Sequence, residues 1–289
     1  MARDYLDQSQ NPSQRSATPS VKGEHFGLTP EQDAVVTQTL WRLYQDRSDI
    51  PARAKSSNVR YDGTTDTTIF NAGIHIPHGS VAQIPVPTKE TRDHEKAWAE
   101  IVNVFQETGA SSKLCDVKDF LEGTDWRSIL SSTIPAELLH YIGGDPTKPE
   151  DLVMPGCFCA VNFNNVCRTH FDTQNHDWCL MTAHGWFLRG ELILQMDNGT
   201  EYLGPIWPGD TVAGLMHCIR HRSSAFEGKF RGTVVWTVKK QLRDLRNKHP
   251  LPPLGVAPCS QRPLPLGRQC GKASRGQRWM KNTSSSLNA

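Results

Sequence analysis

Residues 145–245 consist of short segments of β-type pattern separated by turn residues, and this feature constrains the fold more than any other. Segments of this length and spacing are typical of antiparallel barrels and sandwiches. The candidate strands are 157–163, 166–170, 177–183, 190–196, 200–204, 210–216, 220–225 and 232–238. The sequence therefore predicts an α+β protein whose core is a jelly roll of about eight strands.

The preceding region, residues 28–144, contains helical periodicity. The segment LTPEQDAVVTQTLWRLY has Thr29 as a helix cap, Pro30 at the first helical position and Gln32 to complete a capping box. A second amphipathic helix is predicted over residues 88–109. Its inward face would consist of Ala97, Trp98, Ile101, Val102 and Phe105. We expect a helical and irregular support region packed on the outside of the jelly roll.

Both ends of the chain are polar and lack apolar periodicity. Residues 1–27 are rich in Ser, Gln, Asn and Pro, and residues 246–289 are rich in Pro, Ser and Arg, so both are predicted to be disordered. From Lys239 onward there are eleven Lys and Arg against one acidic residue, although the whole chain has a net charge of only +2. The body is therefore acidic, and the basic tail either contacts phosphates or is simply solvated.

Composition and cysteine usage indicate a reducing compartment. No stretch approaches the ~20 apolar residues of a membrane span, and the N-terminus lacks the apolar core of a secretion signal. We expect an intracellular protein, nuclear or cytoplasmic, without a membrane partner. The eight cysteines form no CxxC pair and are expected mostly as small buried residues. A zinc site formed by Cys157, Cys159 and Cys167 with a histidine is the less favoured alternative.

The stretch RTHFDTQNHDW places His170 and Asp172 one residue apart, so that on a strand both side chains would point to the same face. A 2-His-1-carboxylate metal site needs a second histidine from a distant strand. The segment WPGDTVAGLMHCIRH offers His217 and His221. Taken alone, His170 is more often an ordinary hydrogen-bonded histidine and Asp172 a turn cap.

The remaining histidines of this region have simpler interpretations. His176 and Asp177 are adjacent, so on a strand they would point to opposite faces, and we interpret them as polar turn residues. His184 is either structural or directed to a substrate, and no motif separates the two.

Arg231 begins the apolar run of FRGTVVWTVKK. A guanidinium at the start of a buried strand suits a bidentate grip on a carboxylate, and Thr233 would share its face. The alternative is an ion pair between Arg231 and a neighbouring carboxylate of the protein.

In chain order, His170-x-Asp172, the WFLRGELIL strand, the PGD turn, the distal histidine and Arg231-x-Thr233 resemble the Fe(II)- and 2-oxoglutarate-dependent dioxygenases. The similarity covers roughly residues 155–240 and is greatest to the TET/JBP-like branch found in fungal proteins. AlkB-type and prolyl-hydroxylase-type enzymes are more distant.

The resemblance implies a double-stranded β-helix that uses Fe(II), 2-oxoglutarate and O2. By the same resemblance, His170, Asp172 and His221 would bind iron, and Arg231 with Thr233 would hold 2-oxoglutarate. His221 is preferred because its interval to the arginine matches the family, and His217 remains the alternative. The sequence departs from the family at Arg189, where a glycine is frequent.

The implied reaction is hydroxylation of a C–H bond, as in oxidation of the methyl group of a 5-methylpyrimidine in nucleic acid, which requires base flipping. The basic tail is compatible with such a partner, whereas the acidic body and the lack of a groove-reading motif are not. Protein and small-molecule hydroxylases of the same superfamily stay open. So does a non-catalytic dioxygenase-like or cupin-type metal-binding module.

Overall fold

The computed structural model describes residues 27–46, 48, 50, 67–77, 79, 83–123, 125–145, 147–148, 152–196 and 198–248. The segments predicted to be disordered lie outside these ranges, except for residues 27 and 246–248. The α-helices are α1 (Pro30–Gln45), α2 (Lys89–Asp93), α3 (Glu95–Glu107), α4 (Ala110–Glu122), α5 (Asp125–Thr133) and α6 (Lys240–Lys248). A 3-10 helix spans Ala136–Ile142.

The described residues form nine strands, and every strand pair is antiparallel. They are β1 (Thr68–His75), β2 (Val86–Pro87), β3 (Phe158–Phe163), β4 (Asn175–Arg189), β5 (Leu192–Gln195), β6 (Glu201–Gly204), β7 (Thr211–Gly214), β8 (Arg220–Ser223) and β9 (Phe226–Lys239). The major sheet has the order β2-β1-β3-β9-β4-β7, and the minor sheet has the order β6-β5-β8.

From β3 onward the chain passes repeatedly between the two sheets. Strands β3, β4, β7 and β9 belong to the major sheet, whereas β5, β6 and β8 belong to the minor sheet. A β-bridge between His170 and His221 places residue 170 beside β8, at the edge of the minor sheet opposite β5. This topology is a double-stranded β-helix, which confirms the predicted fold class. The major sheet also takes in β1 and β2, which precede residue 145.

The segment predicted as a strand over residues 166–170 does not form a continuous strand; only Cys167 and His170 make β-bridges. The amide of Cys167 donates to Ser223 Oγ and the amide of Ser223 donates to Cys167 Sγ, both at 3.2 Å. Because these backbone donors bind side chains, a regular ladder does not form at this position. The bridge of His170 is to His221.

Helix α1 packs on the face of the major sheet that points away from the minor sheet. The capping box is present, with Thr29 Oγ1 accepting from the amide of Gln32 and Gln32 Oε1 accepting from the amide of Thr29. The buried face of α1 is apolar and partly aromatic. The ring of Tyr44 lies 5.9 Å from that of Phe163 and 5.4 Å from that of Phe230. This burial anchors α1 on β3 and β9.

The helix predicted over residues 88–109 is two helices, interrupted at His94, whose φ is −131°. Thr91 Oγ1 accepts from the amide of Gly73 at 2.7 Å, and Glu90 accepts from the amide of Asn71. These bonds fix α2 to β1, whereas α3 buries the predicted apolar face. A single continuous helix does not satisfy both sets of contacts.

The apolar face of α3 completes the core behind the major sheet. The rings of Trp98 and Phe105 each lie 5.7 Å from that of Trp236 on β9. Trp98 Nε1 donates to the carbonyl of Tyr141 at 2.6 Å. Within the described residues, no helix combines the length and the apolar character needed to cross a bilayer.

Candidate metal and co-substrate site

His170, Asp172 and His221 meet between the sheets, and one ligand atom from each lies within 4.8 Å of the others. His170 Nε2 is 3.4 Å from Asp172 Oδ1, and His221 Nε2 is 3.8 Å from Asp172 Oδ2. Two imidazole nitrogens and one carboxylate are the donor set of non-haem Fe(II) oxygenases. The residues present therefore fit an Fe(II) ion.

The second nitrogen of each imidazole is held by a backbone carbonyl. His170 Nδ1 lies 2.7 Å from the carbonyl oxygen of Arg168, and His221 Nδ1 lies 3.0 Å from that of Ile219. A carbonyl oxygen only accepts, so each Nδ1 carries a proton and each Nε2 is left to bind a cation. Both rings are thus oriented as metal ligands require.

Without a metal, the cluster holds a proton instead. Burial lowers the pKa of His170, but Asp172 and Cys167 outweigh burial and raise this pKa to about 10. Burial raises the pKa of Asp172, and the hydrogen bond from His170 brings it below its usual range. Burial lowers the pKa of His221. Asp172 is therefore a carboxylate at neutral pH, and a divalent cation would displace the proton on His170.

Asn175 orients the carboxylate of Asp172 by a hydrogen bond. Its Nδ2 donates to Asp172 Oδ2 at 3.1 Å, while the amide of Asp172 donates to the carbonyl of Met216 at 3.0 Å. The remaining oxygen of the carboxylate, Oδ1, faces His170. Bonds of this kind hold a ligand in position before the metal arrives.

The alternative ligand, His217, lies outside the cluster. Its ring stacks on that of His176, with centroids 5.9 Å apart and planes 27° apart. The geometry therefore selects His221 over His217 as the partner of His170 and Asp172. His176 and His217 form a separate pair of rings.

His184 is completely buried on the helix side of the major sheet and has a structural role. Its Nδ1 lies 2.8 Å from Asp33 Oδ1, and its Nε2 lies 2.9 Å from Thr182 Oγ1. The neighbouring amide of Gly185 donates to Thr37 Oγ1 at 3.0 Å. These bonds tie α1 to β4, and a substrate between the sheets would not reach His184.

Arg231 is a buried cation, with 3% of its surface exposed. Its guanidinium donates to the carbonyls of Gly190 and Ser224, at 3.1 and 3.4 Å, and to that of Asn165. Within the described residues it forms no ion pair, which excludes for this region the alternative of a carboxylate partner. Burial lowers its pKa to about 10. Glu191 attracts the guanidinium from beyond ion-pair distance, so no carboxylate of the described residues occupies its N–H donors, which suits a ligand carboxylate.

Two neighbouring residues, Thr233 and Gly190, contribute to the surroundings of the Arg231 guanidinium. Thr233 lies on the same face of β9, and its hydroxyl accepts from Asn162 Nδ2 at 3.2 Å. Gly190 has a φ of +82°, and a Cβ at this position would lie 2.1 Å from Arg231 Nη1. Only glycine lets the guanidinium approach so closely.

Arg189, where the sequence departs from the family, has a φ of +61°. A left-handed backbone at this position explains why a glycine is suitable there. The side chain itself is exposed and pairs with Glu227, with 3.2 Å between Nε and Oε1. The departure therefore leaves the interior of the site unchanged.

The metal cluster and Arg231 line one cavity of about 590 Å³ between the sheets. Thr233 also lines this cavity, on the wall made by β9. The described residues thus bring all five predicted site residues together, namely His170, Asp172, His221, Arg231 and Thr233.

Sequence patterns did not single out Asn71, Glu90, Phe158, Asn175 or Lys239, all of which line the same cavity. Asn175 lies in the opening stretch, only three residues after Asp172, but a turn asparagine carries no signal of a metal role. Lys239 was assigned only to the basic tail. Its place on the cavity face follows from the strand alternation that also places Arg231 and Thr233 there.

The zinc alternative has no support in the described region, because the one group of three potential metal ligands found there contains no cysteine. Cys115, Cys157, Cys159 and Cys179 are free and buried, as expected. Burial raises the pKa of Cys157 to about 11 and that of Cys115 to about 12. These four thiols are uncharged packing groups.

No family model and no curated protein matches this chain. Among solved structures, the chain is similar to NgTET1 in complex with 5mC DNA, with 14% identity and a TM-score of 0.45 over 74% of this chain and 70% of that chain. It is also similar to a prolyl-4-hydroxylase from Pseudomonas putida, with 11% identity and a TM-score of 0.35 over 77% of this chain and 93% of that chain.

A third structure is an oxidoreductase of the 2OG-Fe(II) oxygenase family from Burkholderia pseudomallei, with 12% identity and a TM-score of 0.35 over 68% of this chain and 76% of that chain. The family expected from the sequence is therefore represented among the structural neighbours.

Proposed function

We propose that the protein is an Fe(II)- and 2-oxoglutarate-dependent dioxygenase that hydroxylates a C–H bond. One observation carries the proposal: three ligand atoms of the required kind converge in the cavity that also holds Arg231, a buried cation with no carboxylate of the described residues at ion-pair distance. The cluster of three ligand atoms suits a metal ion, and Arg231 suits a carboxylate. 2-Oxoglutarate would occupy both, because it can chelate the metal at one end and present a carboxylate to Arg231 at the other.

The five site residues would have two roles, metal binding and co-substrate binding. His170, Asp172 and His221 would hold the metal, while Arg231 and Thr233 would bind the distal carboxylate of the co-substrate and fix its orientation. When bound, iron and 2-oxoglutarate supply O2 activation coupled to formation of succinate and CO2. The two sheets surround this chemistry with apolar side chains such as Val235 and Leu192, which exclude water from it.

Anaerobic titration of the metal-free protein with Fe(II) and then 2-oxoglutarate tests this proposal. Chelation of iron by 2-oxoglutarate produces a weak visible charge-transfer band, which we expect in the wild type. At limiting 2-oxoglutarate the band should be lost in Arg231→Ala and retained in Arg189→Ala, a matched change of an exposed arginine. Iron binding without the band would favour a cupin-type or non-catalytic metal module instead.

For the substrate, we propose the methyl group of a 5-methylpyrimidine in nucleic acid. Support comes from the TET/JBP-like resemblance of residues 155–240 and from the basic residues that begin at Lys239. The cavity of about 590 Å³ falls within the usual range for small-molecule sites and is compatible with a flipped base. Mass spectrometry of 5-methylcytosine DNA after turnover would reveal a hydroxymethyl product. Succinate formation that no methylated DNA stimulates would favour a protein or small-molecule substrate.

A further inference from the structure

The cavity face of β9 carries a second cation that the proposed chemistry does not use. Alternate residues of β9 face the cavity, beginning with Arg231 and ending with Lys239. At about 3.3 Å per residue, these two residues lie on the order of 26 Å apart along the strand. Lys239 pairs in register with Asn175, which contacts Asp172. Asp172 therefore lies near Lys239, whereas Arg231 lies eight residues back along the strand.

The ammonium group of Lys239 has one hydrogen-bonded partner and one aromatic neighbour. Its Nζ donates to Asn175 Oδ1 at 3.0 Å and lies 3.6 Å from the centroid of the Phe158 ring. Within the described residues, Lys239 forms no ion pair with a carboxylate. Since an ammonium group has three N–H bonds, Lys239 retains donor capacity toward the cavity.

The charges of the loaded site leave Lys239 uncompensated. A divalent metal and Arg231 would be balanced by Asp172 and a doubly charged 2-oxoglutarate. Glu90 is the only other acidic residue on the lining, and burial raises its pKa, which disfavours its charged form. Burial also lowers the pKa of Lys239, against the attraction of Asp172. A partly buried cation of this kind is stabilised by an anion that arrives with the substrate.

We propose that Lys239 binds a phosphate group of the substrate, at the end of the cavity opposite Arg231. This inference rests on the proposed function and narrows its substrate to a methylated pyrimidine that carries a phosphate. Lysine presents a compact charge with rotatable donors and is a common phosphate ligand, whereas the planar fork of Arg231 suits a carboxylate. Of the two cations on the cavity face of β9, Lys239 would thus bind the substrate and Arg231 the co-substrate.

Calorimetric titration of the full-length protein, loaded with Fe(II) and 2-oxoglutarate under anaerobic conditions, tests this assignment. The probes are 5-methyl-2′-deoxycytidine 5′-monophosphate and the corresponding nucleoside. The wild type should bind the monophosphate at least about tenfold more tightly, as expected for one charge-assisted hydrogen bond. Lys239→Gln should lose this preference and Lys239→Arg should keep most of it. Lys240→Gln, a change of the exposed next residue, should leave it unchanged.

Three results would overturn the assignment. One is equal affinity of the wild type for the two probes, or binding of neither. Another is displacement of the monophosphate by acetate as readily as by inorganic phosphate. The third is loss of the charge-transfer band in Lys239→Gln, since Lys239 would then act on Asp172 through Asn175. The band in the wild type, recorded on the same samples, reports separately on the proposed function.

Discussion

The peptide groups of His170 and His221 are hydrogen-bonded to each other in both directions, with 3.0 Å between each nitrogen and the opposite carbonyl oxygen. This bridge joins two residues that are distant in the sequence and holds their rings 4.4 Å apart. The spacing of the two imidazoles is therefore set by backbone pairing and not by flexible side chains. A metal site supported in this way is pre-organised.

Replacement of the two candidate distal histidines should have opposite results. His221→Ala removes one of the three converging ligands, so Fe(II) binding should be lost. His217→Ala should retain it, because that ring stacks on His176 outside the cluster. Metal content after anaerobic dialysis measures the difference. Retention of iron by His221→Ala and its loss from His217→Ala would reverse the ligand assignment.

A methyl group at Gly190 should disrupt co-substrate binding without touching the metal. Its Cβ would lie 2.1 Å from Arg231 Nη1, so the guanidinium must move. Gly190→Ala should weaken 2-oxoglutarate binding while Fe(II) binding persists. Gly199→Ala is the matched control, because Gly199 has nearly the same φ, +81°, and nothing within 4 Å of its Cβ position. If both variants lost 2-oxoglutarate affinity equally, the cause would be backbone strain and not contact with Arg231.

Truncation of Asn175 should lower metal affinity although this residue is not a ligand. Its Nδ2 holds Asp172 Oδ2 at 3.1 Å, and groups that orient a ligand typically contribute about 10- to 100-fold to metal affinity. Asn175→Ala should show a decrease of this size in anaerobic Fe(II) titrations. Thr173→Ala, an exposed residue of the same loop, should bind Fe(II) as the wild type does. Unchanged affinity in Asn175→Ala would limit that residue to packing.

Loss of the Asp33 carboxylate should destabilise the fold without affecting the metal site. His184 is completely buried, and Asp33→Ala would remove the partner of its Nδ1. An unsatisfied buried polar group costs about 1–3 kcal/mol, and chemical denaturation should show a loss of this order. Gln38→Ala, at an exposed position of α1, should unfold as the wild type does. Loss of Fe(II) binding by folded Asp33→Ala would contradict the structural role of His184.

The sequence predicted the parts that depend on local pattern. The capping box of α1 and the buried face of α3 follow from side-chain spacing, and the structure confirms both. The break at His94 was missed, because it depends on bonds from Glu90 and Thr91 to β1, which is distant in the sequence. The strand predicted at 166–170 is reduced to bridges at Cys167 and His170, because its local pattern does not reveal the side-chain bonds of Cys167 and Ser223.

For the candidate site, the sequence by itself determined the residue types and their order: a histidine and an aspartate one residue apart, a later histidine, and an arginine two residues before a threonine. Strand alternation decides which of these share a face, and alternation is a local property. Only the tertiary structure decided that His221 and not His217 meets His170, that Arg231 keeps its charge free of an ion pair in the described residues, and that Lys239 faces the cavity near Asp172. These outcomes depend on strand register and burial, which arise from pairing between distant segments.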